Sequence, residues 1–277
     1  MKLFRFYGFT MHRSVEYFVK DIMSNRLPCN NPINFNDPFE GLYFFNGLTD
    51  DEEKRLKVYK QNIRKQIPEK KKMLFDIPNA TLTNRVVVAC LCSESIFEQS
   101  ICDLMWAHYA NNHNGVCVEY EFDDDWMKNF EKDDEGYRIY DCSKERYHFS
   151  AKNLIVRSVN YDDVPPRPIE FERGIAKTDN LEYLYTKPKV WSYENEIRII
   201  VSLMSCNDEH AFNLNNHYAV EYKGECLKSI RLGVSVEEVS RNSIIDTIKK
   251  ERPTCLLYQS YLSEDSFHIQ YERIDKN

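Results

Sequence analysis

The feature that most constrains the fold is the alternation of apolar and charged residues between Lys189 and Val201. In an extended chain, successive side chains point to opposite faces. The aromatic and aliphatic residues therefore share one face and the charged residues the other: Trp191, Tyr193, Ile197 and Ile199 against Glu194, Glu196 and Arg198. The pattern predicts a half-buried strand over residues 190–203, and with it a β-core.

Glu194 and Glu196 are the chemically informative members of this predicted strand. Residues two apart on one strand face lie roughly 7 Å from each other, so the carboxylates repel unless a cation, a substrate hydroxyl or solvent separates them. One interpretation is a solvent-exposed ladder with Arg198 as the counter-ion, since most charged residues are exposed. The other interpretation is an active site.

The remaining patterns predict an α+β fold. Strand patterns occur at residues 3–9, 86–92, 116–122, 219–222, 228–232, 255–262 and 267–274. Helical spacing occurs at 12–25 and 99–113, and the capping box Ser235 to Glu238 begins a helix that ends near Glu251. Residues 50–75 predict a helical insertion, and 123–152 an irregular or helical segment. With no repeat or linker, residues 1–277 are interpreted as a single domain with a mixed or antiparallel β-core and flanking helices.

Composition excludes several classes of protein. A net charge of −7 argues against a protein that coats nucleic acid by bulk charge. The eight glycines form neither a dinucleotide-binding fingerprint nor a phosphate loop. No apolar run is long enough to span a bilayer, so we expect no membrane association. Nine cysteines without a secretory leader predict a reducing, cytoplasmic location.

A metal site is not predicted. The candidate ligands Cys102, His108, His113 and Cys117 lie close in sequence but lack the paired spacing of zinc modules. A nucleophilic cysteine–histidine pair stays open as an alternative, although free cysteines usually pack as small apolar residues.

A second constellation combines Arg5, Ser93, Ser95, Glu194 and Glu196, each in or at the end of a predicted strand. A guanidinium can hold a phosphate, a hydroxyl can fix a ribose, and a carboxylate can stabilise an oxocarbenium-like transition state. The order Arg, Ser-x-Ser, Glu-x-Glu resembles the arginine-serine-glutamate pattern of ADP-ribosyltransferases. This resemblance implies NAD as cofactor and an ADP-ribosyltransferase-like fold.

Longer motifs are similar to the bacterial family named domain of unknown function 2971. They are Phe35–Glu40, Met105–Ala110 with Gly115–Cys117, and Lys189 with Trp191–Arg198. The resemblance implies a bacterial or phage-associated intracellular protein. It implies no particular reaction, so the reaction has to be inferred from the residues.

These observations predict one cleft. Its expected catalytic residues are Glu196 and Glu194; its cofactor-binding residues Arg5, Ser93, Ser95, His108, Tyr109 and Trp191; and its substrate-binding residues Asn36, Asp37, Glu40 and Arg198. Asn36 to Glu40 should form a structured turn, and the helix that carries Trp106, His108 and Tyr109 should lie beside the glutamate strand.

The leading hypothesis is an NAD-dependent ADP-ribosyltransferase, a toxin or phage-defence effector, that binds a nucleotide-containing small molecule and modifies a protein or nucleic acid. One alternative is a metal-dependent nuclease or phosphoryl hydrolase, in which Asp37, Glu40, Glu194 and Glu196 would gather a divalent cation. The other is a non-catalytic binding module.

Overall fold

The structure is a computed structural model. It describes residues 1–10, 14–32, 35, 37, 45–46, 50, 86–98, 101–151, 153–166, 169–172, 175–176, 182–202 and 217–274. Apart from Asp50, the predicted insertion near 50–75 lies outside the described residues, as do Asn36 and Glu40.

The described elements are strands with a few helices. The strands are β1 (Lys2–Gly8), β2 (Arg26–Cys29), β3 (Phe45–Asn46), β4 (Val86–Ser93), β5 (Gly115–Glu121), β6 (Lys132–Asp133), β7 (Gly136–Asp141), β8 (Arg146–Ala151), β9 (Asn153–Ser158), β10 (Asn160–Tyr161), β11 (Ile169–Glu172), β12 (Ile175–Ala176), β13 (Thr186–Lys187), β14 (Glu196–Ser202), β15 (Tyr218–Glu221), β16 (Leu227–Leu232), β17 (Leu256–Leu262) and β18 (Ile269–Arg273). The α-helices are α1 (Val15–Met23), α2 (Ser95–Glu98), α3 (Cys102–Tyr109) and α4 (Glu238–Glu251). Short 3₁₀ helices span Trp126–Asn129, Glu182–Leu184, Lys189–Glu194 and Gly224–Cys226.

An eight-stranded sheet forms the centre of the fold, in the order β18-β17-β16-β5-β1-β4-β14-β9. Its neighbours pair antiparallel except for the parallel pair β16 and β17. A second sheet has the order β2-β15-β7-β6, with β8 also paired to β7. The fold is therefore α+β with a mixed β-core, as the sequence predicts.

The main apolar core lies on one face of the large sheet, where alternate residues of its central strands point inward. Leu3 and Tyr7 of β1, Leu91 of β4 and Ile199 of β14 contribute from the large sheet, together with residues of the second sheet and helices α1 and α4. The opposite face carries a smaller cluster that includes Phe4, Phe6, Cys92, Met105 and Trp106. Burial on both faces explains why the strands read as apolar runs.

Two predicted elements near Glu194 and Glu196 differ from the structure, the strand at 190–203 and the helix at 99–113. Residues 190–203 are not one strand: Lys189–Glu194 form a 3₁₀ helix and β14 begins at Glu196. Asn195, between them, has a left-handed backbone with φ 43°. Asparagine tolerates that conformation better than most residues, so the local backbone overrides the alternating pattern.

The predicted helix at 99–113 is also shorter, because α3 ends at Tyr109. Its buried residues are Cys102, Met105 and Trp106. The helical spacing predicts that Ile101, Leu104, Met105 and His108 share one inward stripe, but Leu104 and His108 are exposed, so this stripe is wrong. Three consecutive left-handed residues, Asn111 to His113 at φ 47°, 53° and 68°, turn the chain into β5.

Two further local predictions are wrong. Residues 123–152 contain strands β6, β7 and β8 besides a 3₁₀ helix, since their tyrosines pack into the second sheet. Helix α4 begins at Glu238 with Glu237 at its N-cap, so Ser235 does not cap it; the Ser235 amide instead donates to the His113 carbonyl. None of the helices that the structure describes is long and apolar enough to cross a membrane.

Candidate functional site

A cavity of about 270 Å³ opens where strands β1 and β4 separate. These strands pair over two positions, Leu3 with Ser93 and Phe4 with Cys92. Beyond that point β4 instead forms an isolated bridge from Val88 to Asn30. The cavity is lined by residues of six segments of the chain: Arg5, Phe6, Asn30, Phe35, Val88, Cys90, Leu91, Cys92, Met105, Tyr109, Lys187, Glu194, Glu196 and Arg198.

Four charged side chains form one buried cluster on the cavity wall: Lys187, Glu194, Glu196 and Arg198, with exposures of 4%, 2%, 4% and 1%. Lys187 Nζ lies 2.5 Å from Glu194 Oε2 and 3.3 Å from Glu196 Oε2. Arg198 holds Glu196 bidentately, with Nε 2.8 Å from Oε1 and the second nitrogen 3.1 Å from Oε2. The two carboxylates thus share a cation, and the solvent-exposed ladder is excluded.

The backbone around Asn195 brings both glutamates to this cluster. Glu194 ends the 3₁₀ helix and Glu196 begins β14, so the left-handed residue between them turns the chain. The Ser93 amide donates to the Asn195 carbonyl at 3.0 Å, and the Glu196 amide donates to the Tyr161 hydroxyl at 2.8 Å. The two glutamates therefore line the same cavity because the chain turns at Asn195. They do not lie on one face of a single strand, as the alternation predicted.

The two carboxylates have opposite pKa shifts. Burial raises the pKa of Glu194 to about 7, against the opposing charge of Lys187 and with reinforcement from Glu196. Burial also acts to raise the pKa of Glu196, but Arg198 and Lys187 outweigh it and lower this pKa to about 2. Glu196 is therefore a permanent anion at neutral pH, whereas Glu194 can exchange a proton.

Arg5 lies at another part of the cavity wall and is 8% exposed. Its guanidinium donates to the Pro28 carbonyl at 2.6 Å and lies 5.2 Å from the centre of the Tyr7 ring. Among the residues that the structure describes, no carboxylate forms an ion pair with it. Buried charges are normally paired, so Arg5 is suited to an anionic ligand.

Helix α3 contributes Tyr109, whose hydroxyl donates to Glu194 Oε1. Its neighbour His108 is exposed and lies outside the cavity lining, although its ring is 6.2 Å from that of Tyr193. Trp191 also lies outside the lining, with its ring 4.9 Å from Lys187 Nζ. The helix therefore lies beside the glutamates as predicted, but Tyr109 rather than His108 reaches the cavity.

The serines and the acidic turn are placed differently. Ser93 and Ser95 bond each other through their hydroxyls at 2.7 Å and do not line the cavity. Asp37 is fully buried, whereas its predicted partners Asn36 and Glu40 lie outside the described residues. Arg198 lines the cavity, but its guanidinium bonds Glu196 and the Leu184 carbonyl, at 2.7 Å for the latter.

Lys187 is the member of the charged cluster that the sequence did not predict. It belongs to the two-residue strand β13, which pairs in parallel with β10, and no motif distinguishes it from other lysines. The one available signal was indirect, because two glutamates on a shared face require a cation nearby.

Cysteine and metal chemistry receive no support from the described residues. Burial raises the pKa of Cys102 to about 12 and that of Cys92 well above its usual value, which disfavours the nucleophilic thiolate. Within the part of the chain that the structure describes, no three His, Cys, Asp or Glu side chains are grouped to hold a metal ion.

Comparison with known proteins gives one match. Residues 105–199 match the family described as Protein of unknown function (DUF2971). The chain resembles DUF2971. No curated protein and no solved structure matches it. The matched segment contains Tyr109 and all four residues of the charged cluster, Lys187, Glu194, Glu196 and Arg198.

Proposed function

We propose that the cavity is the active site of an NAD-dependent ADP-ribosyltransferase. The observation that carries this proposal is a pair of buried carboxylates on one cavity wall that share the Lys187 ammonium and whose pKa values are shifted in opposite directions. Pairs of titratable groups whose environments push their pKa values apart are typical of acid–base assignments in enzymes.

Each glutamate has a distinct role in this reaction. As the bond between the ribose and the nicotinamide nitrogen breaks, its electron pair leaves with nicotinamide, and the Glu196 carboxylate stabilises the oxocarbenium-like ribose. A nucleophile on the acceptor then forms the new bond to the ribose carbon. Its proton passes to Glu194, which Tyr109 and Lys187 hold at the cavity wall.

The spacing of the carboxylates supports chemistry at a sugar carbon. Because one ammonium contacts both groups at 2.5 and 3.3 Å, these oxygens lie at most about 6 Å apart, a limit that is compatible with the ~5–5.5 Å between the carboxyl groups of retaining glycosidases. That spacing leaves little room for the intervening water used by inverting glycosidases.

The remaining walls suit part of a dinucleotide. Arg5 can hold a phosphate in a bidentate manner, and Phe6, Phe35, Leu91 and Met105 supply apolar surface. A volume of about 270 Å³ is just below the range of ~300–1,000 Å³ that is typical of small-molecule sites. We therefore expect the nicotinamide end of NAD to enter, with the rest of the dinucleotide extending outside.

The position of Lys187 favours this proposal over a metal-dependent nuclease. A divalent cation would have to lie between carboxylate oxygens, and the Lys187 ammonium already lies between Glu194 and Glu196. In a bacterial cytoplasm, ADP-ribosyl transfer to a protein or nucleic acid would suit a toxin or a phage-defence effector.

The test is nicotinamide release when the protein is mixed with NAD, compared with magnesium- or manganese-dependent nicking of DNA. We expect Glu196→Gln to lower nicotinamide release by on the order of 100-fold or more, as for the loss of a positioned charge. The matched control is Glu264→Gln, which makes the same change at an exposed loop residue. Full activity of a Glu196→Gln protein with a native circular dichroism spectrum would overturn the assignment.

A further inference from the structure

Lys187 is a buried cation held from three sides. Its ammonium contacts Glu194 Oε2 at 2.5 Å and Glu196 Oε2 at 3.3 Å, and lies 4.9 Å from the centre of the Trp191 ring. A lysine ammonium can donate three hydrogen bonds, and a flexible four-carbon stem loses considerable entropy when fixed. This degree of constraint indicates that the position of the charge matters.

The two cations of the cluster divide their contacts unequally. Arg198 bonds both oxygens of Glu196 and the Leu184 carbonyl, so Glu196 has a counter-charge besides Lys187. Lys187 makes its shorter contact with Glu194. Glu194 thus depends on Lys187 for its counter-charge, whereas Glu196 keeps Arg198 if Lys187 is removed.

The other titratable groups near Glu194 cannot replace that charge. They are Tyr109 of α3, Tyr161 of β10, Cys92 of β4, Glu196 of β14 and the adjacent Tyr193. Tyr109 donates a neutral hydrogen bond, Glu196 adds a repelling charge, and burial raises the pKa values of Tyr161 and Cys92.

We propose that Lys187 is the positioning residue of this site: its ammonium orients Glu194 and Glu196 toward the same point of the cavity and supplies the counter-charge of Glu194, so that Glu194 can accept the proton of the attacking group. This role rests on the proposed function, because it assigns a task to a residue of the same site. Lys187 acts through the glutamates and touches neither the ribose carbon nor the leaving group.

If Lys187 acts through its charge, its removal should shift the pH dependence of activity. If it acts only through packing, its removal should lower activity equally at every pH. Burial raises the pKa of Glu194 and Lys187 opposes that effect by its charge and its hydrogen bond. Replacing Lys187 by methionine keeps an unbranched side chain but removes the charge, so the pKa of Glu194 rises further. Because Glu194 must be ionised to accept a proton, activity should then appear at higher pH.

The experiment measures nicotinamide release from NAD between pH 5.5 and 9.5 for the wild type, Lys187→Met, Lys187→Gln and Lys187→Arg. We expect the rising limb of kcat to shift upward by about one pH unit or more in both neutral variants, so that kcat falls about fivefold or more at pH 7 and largely recovers at pH 9. Lys187→Arg should keep the limb of the wild type, and the KM for NAD should change less than about threefold.

The control is Lys189→Met, the same change two residues away at a side chain that is 60% exposed and pairs with Asp163. It should leave the profile unchanged. A loss of equal size at every pH in Lys187→Met and Lys187→Gln, with an unmoved limb, would show a purely structural role and overturn the proposal.

A second measurement needs no activity. Glu194 has a raised pKa in the folded protein, so its contribution to stability is full below its ordinary pKa of 4.5 and is lost as the pH rises through about 7. In Lys187→Met, thermal unfolding scans without NAD should show that stability continues to fall between pH 7 and 9.

If the wild type releases no nicotinamide at any pH, the proposed function fails, and the unfolding scans still decide the role of Lys187. If Lys187→Met does not fold, Lys187→Gln decides by the same criteria.

Discussion

Glu194 and Glu196 provide a stringent prediction, because the same substitution at two neighbouring sites should have very different consequences for stability. Arg198 and Lys187 overcome the effect of burial and lower the pKa of Glu196 from 4.5 to about 2. A shift of that size corresponds to about 3 kcal/mol of stability at pH 7. Removal of one partner from a buried ion pair is expected to cost a similar ~3–5 kcal/mol. Glu196→Gln should therefore lower the free energy of unfolding by about 3 kcal/mol at pH 7.

Glu194→Gln is the matched control. Burial raises the pKa of Glu194 to about 7, so the folded protein favours its neutral form. A glutamine carbonyl can still accept from Lys187, and its amide can donate to the Tyr109 hydroxyl. At pH 8 we expect this variant to lose less than about 1 kcal/mol or to gain stability.

The assay is urea unfolding, followed by circular dichroism, at several pH values from 3 to 8. The contribution of Glu196 is present above its ordinary pKa and is lost as the pH falls through about 2, so the cost of Glu196→Gln should shrink toward the acid end. If Glu194→Gln were the more costly substitution at pH 8, or if Glu196→Gln cost less than about 1 kcal/mol at pH 7, the electrostatic account would be refuted.

Three further substitutions test other parts of the structure. Arg5→Met should cost no more than about 2 kcal/mol, because it removes the hydrogen bond to the Pro28 carbonyl but also a buried charge that pairs with no carboxylate among the described residues. It should raise the KM for NAD about tenfold or more, and an unchanged KM would contradict a role in binding. Asn195→Ala should cost about 1–2 kcal/mol at its left-handed position and lower nicotinamide release by misplacing Glu194 and Glu196, whereas Asn195→Gly should retain both properties. Trp106→Ala should cost about 3–5 kcal/mol in urea unfolding, as for a fully buried aromatic side chain.

Local sequence patterns were sufficient to predict the strands and helices in which the apolar residues follow one clear pattern. Lys2–Gly8, Val86–Ser93 and Gly115–Glu121 each lie within about two residues of the predicted strands, because a run of β-branched and aromatic residues suits a doubly buried strand. Helix α1, at Val15–Met23, also lies within its predicted range. These patterns depend on neighbours in sequence alone.

The site could be predicted in part, because it depends on contacts that sequence spacing does not encode. Glu196 and Arg198 share a face since both lie in β14, which the alternation predicts. The bridging Lys187 belongs to a strand of two residues, too short for any period to reveal. His108 was predicted to reach the site, but α3 turns Tyr109 toward Glu194 instead.

The central position of β1 has a consequence for the newly made chain. Both neighbours of this strand, β4 and β5, are synthesised later, the first about 80 residues downstream of it. At translation rates of roughly 5–20 residues per second, β1 waits about 4–16 s before either partner emerges from the ribosome. During that interval Leu3, Phe4, Phe6, Tyr7 and Phe9 form an unpaired apolar segment. We expect this segment to be a principal chaperone-binding site of the nascent protein, and a charge introduced at Phe4 or Phe6 to alter capture of ribosome-bound chains.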